Sequence, residues 1–456
     1  MPMTPMTQTP IHGPSQMPTQ TPTGASPSFV RHLSLISRIA GHTAEAHIPG
    51  VTIGEICDIR RTWRDAHVVG QAQVIAVHDE RAILSLFAAT QGLSCDSALL
   101  PTGRQASCSP HETWRGAVLD AGGGIVDRID GQPLAPVRAG ATERALLAPA
   151  LPYPERVGVD SALHTGLRAI DALMPCGVGQ RVGIFAPAGC GKTSFMNALL
   201  AGVEVDTTVI ALIGERGREV VEIVEALRAS PGAQRCVVIF ATSDAPAVTR
   251  RNAALLATTA AEHFRDQGQR VALFVDSLTR YVRACRDLAL ATGELPMRAG
   301  VPASVYTSLP QLLERAGAST RGSISAFYTV LLEDDEMPDP MAEEIRSILD
   351  GHIHLSAQLA HRNHYPAIDV LRSVSRVATR VAPPGQMRVA GELRAWLARL
   401  ESLQTLVDLG EYRPGVNAQD DRAMEAKPYI EAFLKQGAHE WSSADETLRR
   451  LHEIVG

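Results

Sequence analysis

The sequence predicts an α/β protein: a central domain built on a parallel sheet covered by helices, preceded by a small β-barrel and followed by a helical domain. Three observations carry that prediction. Apolar, β-branched runs alternate with longer helical patterns through the middle of the chain. Short Val- and Ile-rich segments broken by turn residues come before them, and leucines at helix-face spacing come after. At 456 residues the chain also exceeds one ordinary hydrophobic core, so two or three domains are expected.

Residues 1–28 hold seven prolines among Thr, Gln, Ser and Met. Such a stretch buries too little apolar surface to offset ordering entropy, and a disordered tail is expected. From 29 to 101 the segments Val68–Val77 and Ala82–Phe87 read as barrel strands, with Pro49-Gly50 and Gly70 as punctuation. Trp114–Asp120 and the run Gly122-Gly123-Gly124 lead into a proline-rich connector reaching Pro154. The domain expected over 102–385 carries strand patterns at Val182–Ala186, Thr208–Ile213, Val237–Thr242, Val271–Val275 and Tyr328–Leu332. Helical patterns at Thr193–Val203, Glu219–Ala229 and Val248–Gln267 separate them. After Pro383-Pro384-Gly385, the residues Val389, Leu393, Trp396, Leu397, Leu400 and Leu403 line one helix face, so 386–456 reads as helical. Ligands of parallel sheets bind beyond the carboxyl ends of the strands, which is where the chemistry is expected.

Composition narrows the function classes. The net charge is −6 and aromatic residues are 4%, which gives a nucleic acid neither a basic stripe nor stacking surface. The seven cysteines are scattered without a C-x-x-C pair, so reduced thiols are expected rather than a disulfide framework or a zinc site. His352/His354 and His361/His364 are paired, but no pattern completes a metal set around them. No apolar run approaches the ~18–20 residues that span a bilayer. The first basic residue is Arg31, with no apolar stretch before it, so no signal peptide is expected.

One stretch carries chemistry directly. Val182-Gly183-Ile184-Phe185-Ala186-Pro187-Ala188-Gly189-Cys190-Gly191-Lys192-Thr193 is strand, glycine loop, then helix. Backbone N–H groups can wrap phosphate oxygens only where side chains do not intervene, and a helix start turns its positive end toward the anion. Ala188, Gly189, Cys190, Gly191, Lys192 and Thr193 are therefore the expected phosphate-binding residues. Lys192 neutralises the outer phosphates of ATP, and the Thr193 hydroxyl is a Mg²⁺ ligand. The first glycine of the usual pattern is replaced by Ala186.

Two more strand ends supply carboxylates. Val271–Asp276 is an apolar strand ending in an acid suited to a magnesium shell. Thr208–Ile213 runs into Gly214-Glu215-Arg216-Gly217-Arg218-Glu219, where Glu215 is a candidate base for the attacking water and Glu219 follows one helical turn on. The alternative for these charges is a solvated helix start with acids near the positive dipole end.

Gly214–Val220 (GERGREV), Asp276–Tyr281 (DSLTRY), Leu313–Gly317 (LERAG), Ser347–His352 (SILDGH) and His364–Arg376 (HYPAIDVLRSVSR) resemble the catalytic subunits of rotary ATP synthases and their secretion relatives. The wording is nearest to the ATPases of type III secretion systems, with flagellar export ATPases next, and spans roughly residues 51–423. The resemblance implies a RecA-type P-loop domain, with Glu215 as water-activating base, Arg216 as a phosphate contact, and Asp276 with Glu219 and Thr193 around Mg²⁺. It implies that Arg376 is an arginine finger reaching a neighbouring subunit's site, hence a homo-oligomeric ring, a hexamer. The secretion branch also has alanine where Ala186 stands. The synthase's adenine-stacking tyrosine is matched by Leu331, which leaves Tyr412 or a packing role for Tyr412 as readings. By the same resemblance the partners are secretion chaperones, export cargo, stalk and regulator proteins and the inner-membrane export gate. The place of action is the cytoplasmic face of the inner membrane, and Pro296–Leu313 faces a central channel. The competing readings are a flagellar or synthase subunit, a nucleic-acid motor, and a nucleotide-binding subunit without turnover.

Overall fold

Six strands close the N-terminal barrel: β1 (Ser34–Ala40), β2 (Thr43–His47), β3 (Glu55–Arg60), β4 (Val68–His78), β5 (Arg81–Leu86) and β6 (Ala98–Gln105). They belong to a computed structural model that describes residues 33–88, 91–133, 142–333, 339–437 and 440–456. The proline-rich segment 1–28 lies outside the described residues. The barrel order is β1-β2-β5-β4-β3-β6, closed by β6 against β1. Closure explains the alternation along β3, where Glu55, Cys57 and Ile59 point inward and their neighbours are half-exposed. β6 continues to Gln105, past Pro101, because its later residues still pair with Glu55 of β3.

The central sheet is assembled from β7 (Ala117–Leu119), β8 (Ile125–Arg128), β9 (Arg181–Pro187), β10 (Thr207–Glu215), β11 (Cys236–Thr242), β12 (Arg270–Asp276), β13 (Gly317–Ala318), β14 (Ser323–Leu332), β15 (Gly351–Leu355) and β16 (Ile368–Ser375). Its order is β16-β15-β9-β14-β12-β10-β11-β7-β8, with β13 laid against β14. From β15 to β7 every pairing is parallel. All five expected strands are present. The sheet is mixed rather than wholly parallel, since β8, β13 and β16 run antiparallel. The β7–β8 hairpin shows why: Asp120 accepts from the N–H groups of Gly122 and Gly124, turning the triple-glycine run back on itself.

Ten helices matter below: α1 (Arg168–Leu173), α2 (Lys192–Gly202), α3 (Gly217–Arg228), α4 (Ala247–Asp266), α5 (Leu278–Ala291), α6 (Ala303–Leu313), α7 (Pro340–Ile348), α8 (Gln386–Asp408), α9 (Ala418–Leu434) and α10 (Ala444–Val455). All nine residues of β10 are buried. Ile210 and Leu212 pack with Val220, Ile223 and Leu227 of α3 on one face. Val209, Ala211 and Ile213 pack with Ala253, Ala257 and Ala260 of α4 on the other. This two-sided burial is the reason the strand reads as continuous apolar sequence. α8 sinks Val389, Ala390 and Leu393 into the same core as α1 and α2. Gln386 secures that junction by donating to the carbonyls of Asp171 and Ala172.

Arg315, which follows α6, is among the most deeply buried side chains at 2% exposure. It forks onto Glu262 of α4 at 2.8 and 2.7 Å and donates to Thr259 and to the Leu146 carbonyl. The LERAG stretch thus owes its arginine to packing. Glu262→Ala leaves the guanidinium buried without its counter-charge, and a loss of about 3–5 kcal/mol is expected. The exposed pair Arg388–Glu392 (2.7 Å) is the control, with a loss below about 1 kcal/mol for Glu392→Ala. Denaturation midpoints measured side by side check the contrast, and equal losses would refute it.

Candidate active site at the phosphate loop

The phosphate loop leaves the carboxyl end of β9. Its two left-handed positions are Gly189 (φ 76°) and Gly191 (φ 79°), where a side chain would strain the backbone. Ala186 is still within β9, paired with Leu331 of β14 and 1% exposed. A strand residue has no need of positive φ, so the alanine departs from the usual pattern without a conformational cost. Side-chain oxygens cap α5 (Ser277), α7 (Asp339), α9 (Asn417) and α10 (Ser443). α2 starts at Gly191 with no side-chain cap, which suits an anion at its first N–H groups.

Lys192 opens α2 and points at two neighbouring strand ends. Its Nζ lies 2.6 Å from Asp276 Oδ1, at the end of β12, and 3.4 Å from Glu215 Oε1, at the end of β10. Both carboxylates are buried, at 5% and 1% exposure. Thr329 of β14 donates to the same Asp276 oxygen at 2.7 Å. Arg280 of α5 lies 2.5 Å from Glu215 Oε2 and also donates to the Gly214 carbonyl. Burial opposes the charge on Lys192, but Asp276 and Glu215 outweigh it and the ammonium pKa is raised. Burial pushes the Glu215 carboxyl above its usual range, a hydrogen bond with Glu219 pushes the same way, and Lys192 and Arg280 oppose both. A carboxyl shifted in this direction holds a proton more readily than an ordinary glutamate, which suits a base that takes one from water.

The other expected residues divide into those at this cluster and those away from it. Thr193 is exposed in the first turn of α2, open to a metal. Ala188 and Gly189 are exposed on the loop, whereas Cys190 turns inward. Glu219 is half-buried beside Glu215. Arg216 is solvent-facing and lies 3.9 Å from Glu219. Arg376 is not at its own chain's loop. Its N–H donates to Asp350, and Asp350 in turn donates to Arg181 at the start of β9. The seven residues of β9, at about 3.3 Å each, separate this end of the sheet from the loop by about 20 Å. Tyr412 follows α8, its hydroxyl donating to Asp421 of α9 at 2.6 Å.

Two residues at the site escaped the sequence reading. Arg280 sits inside the quoted DSLTRY, but nothing in that motif's chemistry says that its arginine folds back on Glu215. Tyr365 sits inside HYPAIDVL. Its ring lies against the loop, so that a Cβ on Gly191 would meet Cε1 at 2.8 Å, and it is 38% exposed. No cluster of three or more His, Cys, Asp or Glu fit for a metal occurs among the described residues. No helix among them is long and apolar enough to cross a membrane.

Residues 166–375 match the ATP synthase alpha/beta family nucleotide-binding domain, and 382–453 match the type III secretion system EscN ATPase C-terminal domain. The SPI-1 type 3 secretion system ATPase of Salmonella typhi is 54% identical over 430 residues, spanning 94% of this chain and 99% of that one. The flagellum-specific ATP synthase of Treponema pallidum is 38% identical over 427 residues, 94% of each chain. The assembled ATPase EscN of enteropathogenic E. coli superposes with a TM-score of 0.86 at 39% identity, over 93% of this chain and all of that one. EscN in complex with its central stalk EscO gives 0.83 at 38%, with the same coverage. Barrel, phosphate-loop sheet and helical domain are thus shared with these proteins along nearly the whole chain, which belongs to the type 3 secretion system ATPases and hydrolyses ATP to energise protein export.

Proposed function

We propose that this chain works as a homohexameric ring in which each ATP is cleaved between two copies. One observation carries the reading: Lys192, Glu215, Asp276 and Arg280 converge at the loop, while Arg376 lies at the opposite end of the same sheet. A chain that cannot bring Arg376 to its own phosphates can present it to a neighbour's. EscN in its assembled form supports the ring.

Within a site, the N–H groups of 188–193 and the Lys192 ammonium bind the phosphates. Thr193, Asp276 and Glu219 would hold Mg²⁺, which when bound would neutralise phosphate charge. Glu215 takes the proton of the attacking water, kept in place by Arg280. Arg376 of the adjoining copy meets the charge that grows on the transferring phosphoryl group, an effect worth about 10³-fold or more. Arg216 reaches the phosphates only on rearranging, since it faces solvent here. The base of ATP stacks on Tyr365, which borders the loop. Tyr412 is instead a packing residue, its hydroxyl engaged by Asp421.

The work done is release of secretion chaperones and unfolding of export cargo at the cytoplasmic face of the inner membrane. Exposed Leu295, just before the channel-facing stretch 296–313, and exposed Met297 within it give a stalk protein apolar footing, as EscN has its stalk EscO. Regulator proteins and the export gate complete the partners, and nucleic acid is not one of them.

Three measurements test these roles. Glu215→Gln is expected to bind ATP while phosphate release falls about 10²-fold or more; release near the normal rate would remove Glu215 as base. Arg376→Ala and Lys192→Ala, each inactive alone, are expected to recover activity when mixed, because a mixed interface can pair an intact loop with an intact finger. Mixed rings without activity would sink the shared site. In Arg280→Gln, Glu215 loses a cation that holds its pKa down. The acid limb of the pH–rate profile should then move to higher pH, and a limb that stays or moves lower would contradict the pairing.

A further inference from the structure

Between α9 and α10 the helical domain dips onto the nucleotide-binding domain and touches the back of the Tyr365 turn. The N–H of Gln436 donates to the Tyr365 carbonyl at 2.8 Å. Its side chain, 6% exposed, is fully engaged elsewhere. Oε1 accepts from the Arg168 N–H at 3.0 Å, and Nε2 donates to the carbonyls of Gly166 at 2.7 Å and Glu440 at 2.8 Å.

Arg168 grips the same strap from the opposite side. Its guanidinium, 3% exposed, donates to Phe433 O at 2.8 Å and Lys435 O at 2.5 Å, and pairs with Glu440. A cation at these carbonyls caps the C-terminal end of α9. Trp441 closes the contact over Gly166, where a Cβ would meet its ring at 2.0 Å. The path from α9 to the site is therefore short: α9 end, Gln436, Tyr365, then the ring against Gly191.

We propose that Gln436 is a positioning residue whose main-chain and side-chain hydrogen bonds set Tyr365 over the phosphate loop, so that the helical domain governs how tightly the base of ATP is held. The inference rests on Tyr365 stacking on that base. An amide offers one acceptor and two donors in a fixed plane, and Gln436 uses all three. Leucine removes them all, and glutamate keeps the acceptor but loses the donors. A hydrogen bond of 2.8 Å tolerates little displacement, so a shift of the α9 end by an ångström either carries Tyr365 with it or breaks the link. A partner that binds the helical domain can act on nucleotide affinity through this route without touching the phosphate loop.

The test compares Gln436→Leu and Gln436→Glu with the unaltered protein, using MgATP and magnesium tripolyphosphate as probes in calorimetric titrations beside steady-state kinetics. Tripolyphosphate has no base to stack. In Gln436→Leu the ATP affinity should fall, and KM rise, about tenfold, with kcat within about twofold and tripolyphosphate affinity unchanged. Gln436→Glu, close in volume, should move the same way by a smaller factor and guards against a leucine variant that fails to fold. Unchanged ATP affinity in both, or an equal loss for tripolyphosphate, would overturn the proposal. Tyr365→Ala separates the two layers of the argument. If it weakens ATP and spares tripolyphosphate while the Gln436 variants do neither, only the positioning role falls; if it does not discriminate, the stacking role falls first. Adding Gln436→Leu to Tyr365→Ala should cost less than about twofold more, since the residue being positioned is already gone.

Discussion

The site depends on parallel strand order. β9, β14, β12 and β10 lie side by side with their carboxyl ends at one edge. That edge receives Lys192 from the helix after β9, Thr329 from β14, Asp276 from β12 and Glu215 from β10. Residues 23 and 84 positions from Lys192 in sequence thereby come within 3.4 and 2.6 Å of it. An antiparallel arrangement would send half of these ends to the other edge. The antiparallel strands that do occur, β8, β13 and β16, contribute none of the four side chains.

The same order fixes what the chain cannot do alone. β16 runs back against β15, so the chain enters it near the loop's edge and leaves it at the far edge, where Arg376 follows. Its guanidinium there rests weakly on the carbonyls of Arg346 and Ser347, at 3.3 and 3.4 Å. An exposed cation on long, solvent-shared contacts has little to lose on moving to a phosphate. The antiparallel edge strand, which the sequence pattern did not disclose, is thus the element that carries the proposed finger away from its own site and toward another copy.

What was legible followed from periodicity and local chemistry. β10 and β12 are apolar on both faces and end in acids, so strand and carboxylate were read together. The loop residues 188–193 are contiguous and announce themselves. The edge strands were harder. Gly351–Leu355 contains two histidines, and Ile368–Ser375 mixes Asp369, Arg372 and two serines with its apolar residues, so neither shows the run expected of a buried strand. Arg280 and Tyr365 were invisible for another reason. Their roles arise from side chains meeting residues 65 and 174 positions away, and no local pattern encodes such a meeting. The residue before the acidic turn, Leu331, is part of β14, and Tyr412 is held in the helical domain through Asp421, so neither local position discloses the aromatic at the loop.

The charges at the loop also give a physical reason for a nucleotide to bind together with a cation. In the structure the ammonium of Lys192 satisfies Asp276 and Glu215, and both carboxylates are nearly inaccessible to water. A phosphate that draws Lys192 away leaves Asp276 with the Thr329 hydroxyl as its remaining described side-chain partner. Glu215 retains Arg280 and can retain a proton shared with Glu219, so it tolerates the loss. Asp276 has no comparable relief. A buried carboxylate stripped of its counter-charge costs several kcal/mol, more than a hydroxyl returns. Phosphate and carboxylate would then face each other across a low-dielectric gap; Thr193 and Asp276 would hold a divalent ion there, and its charge would offset both penalties.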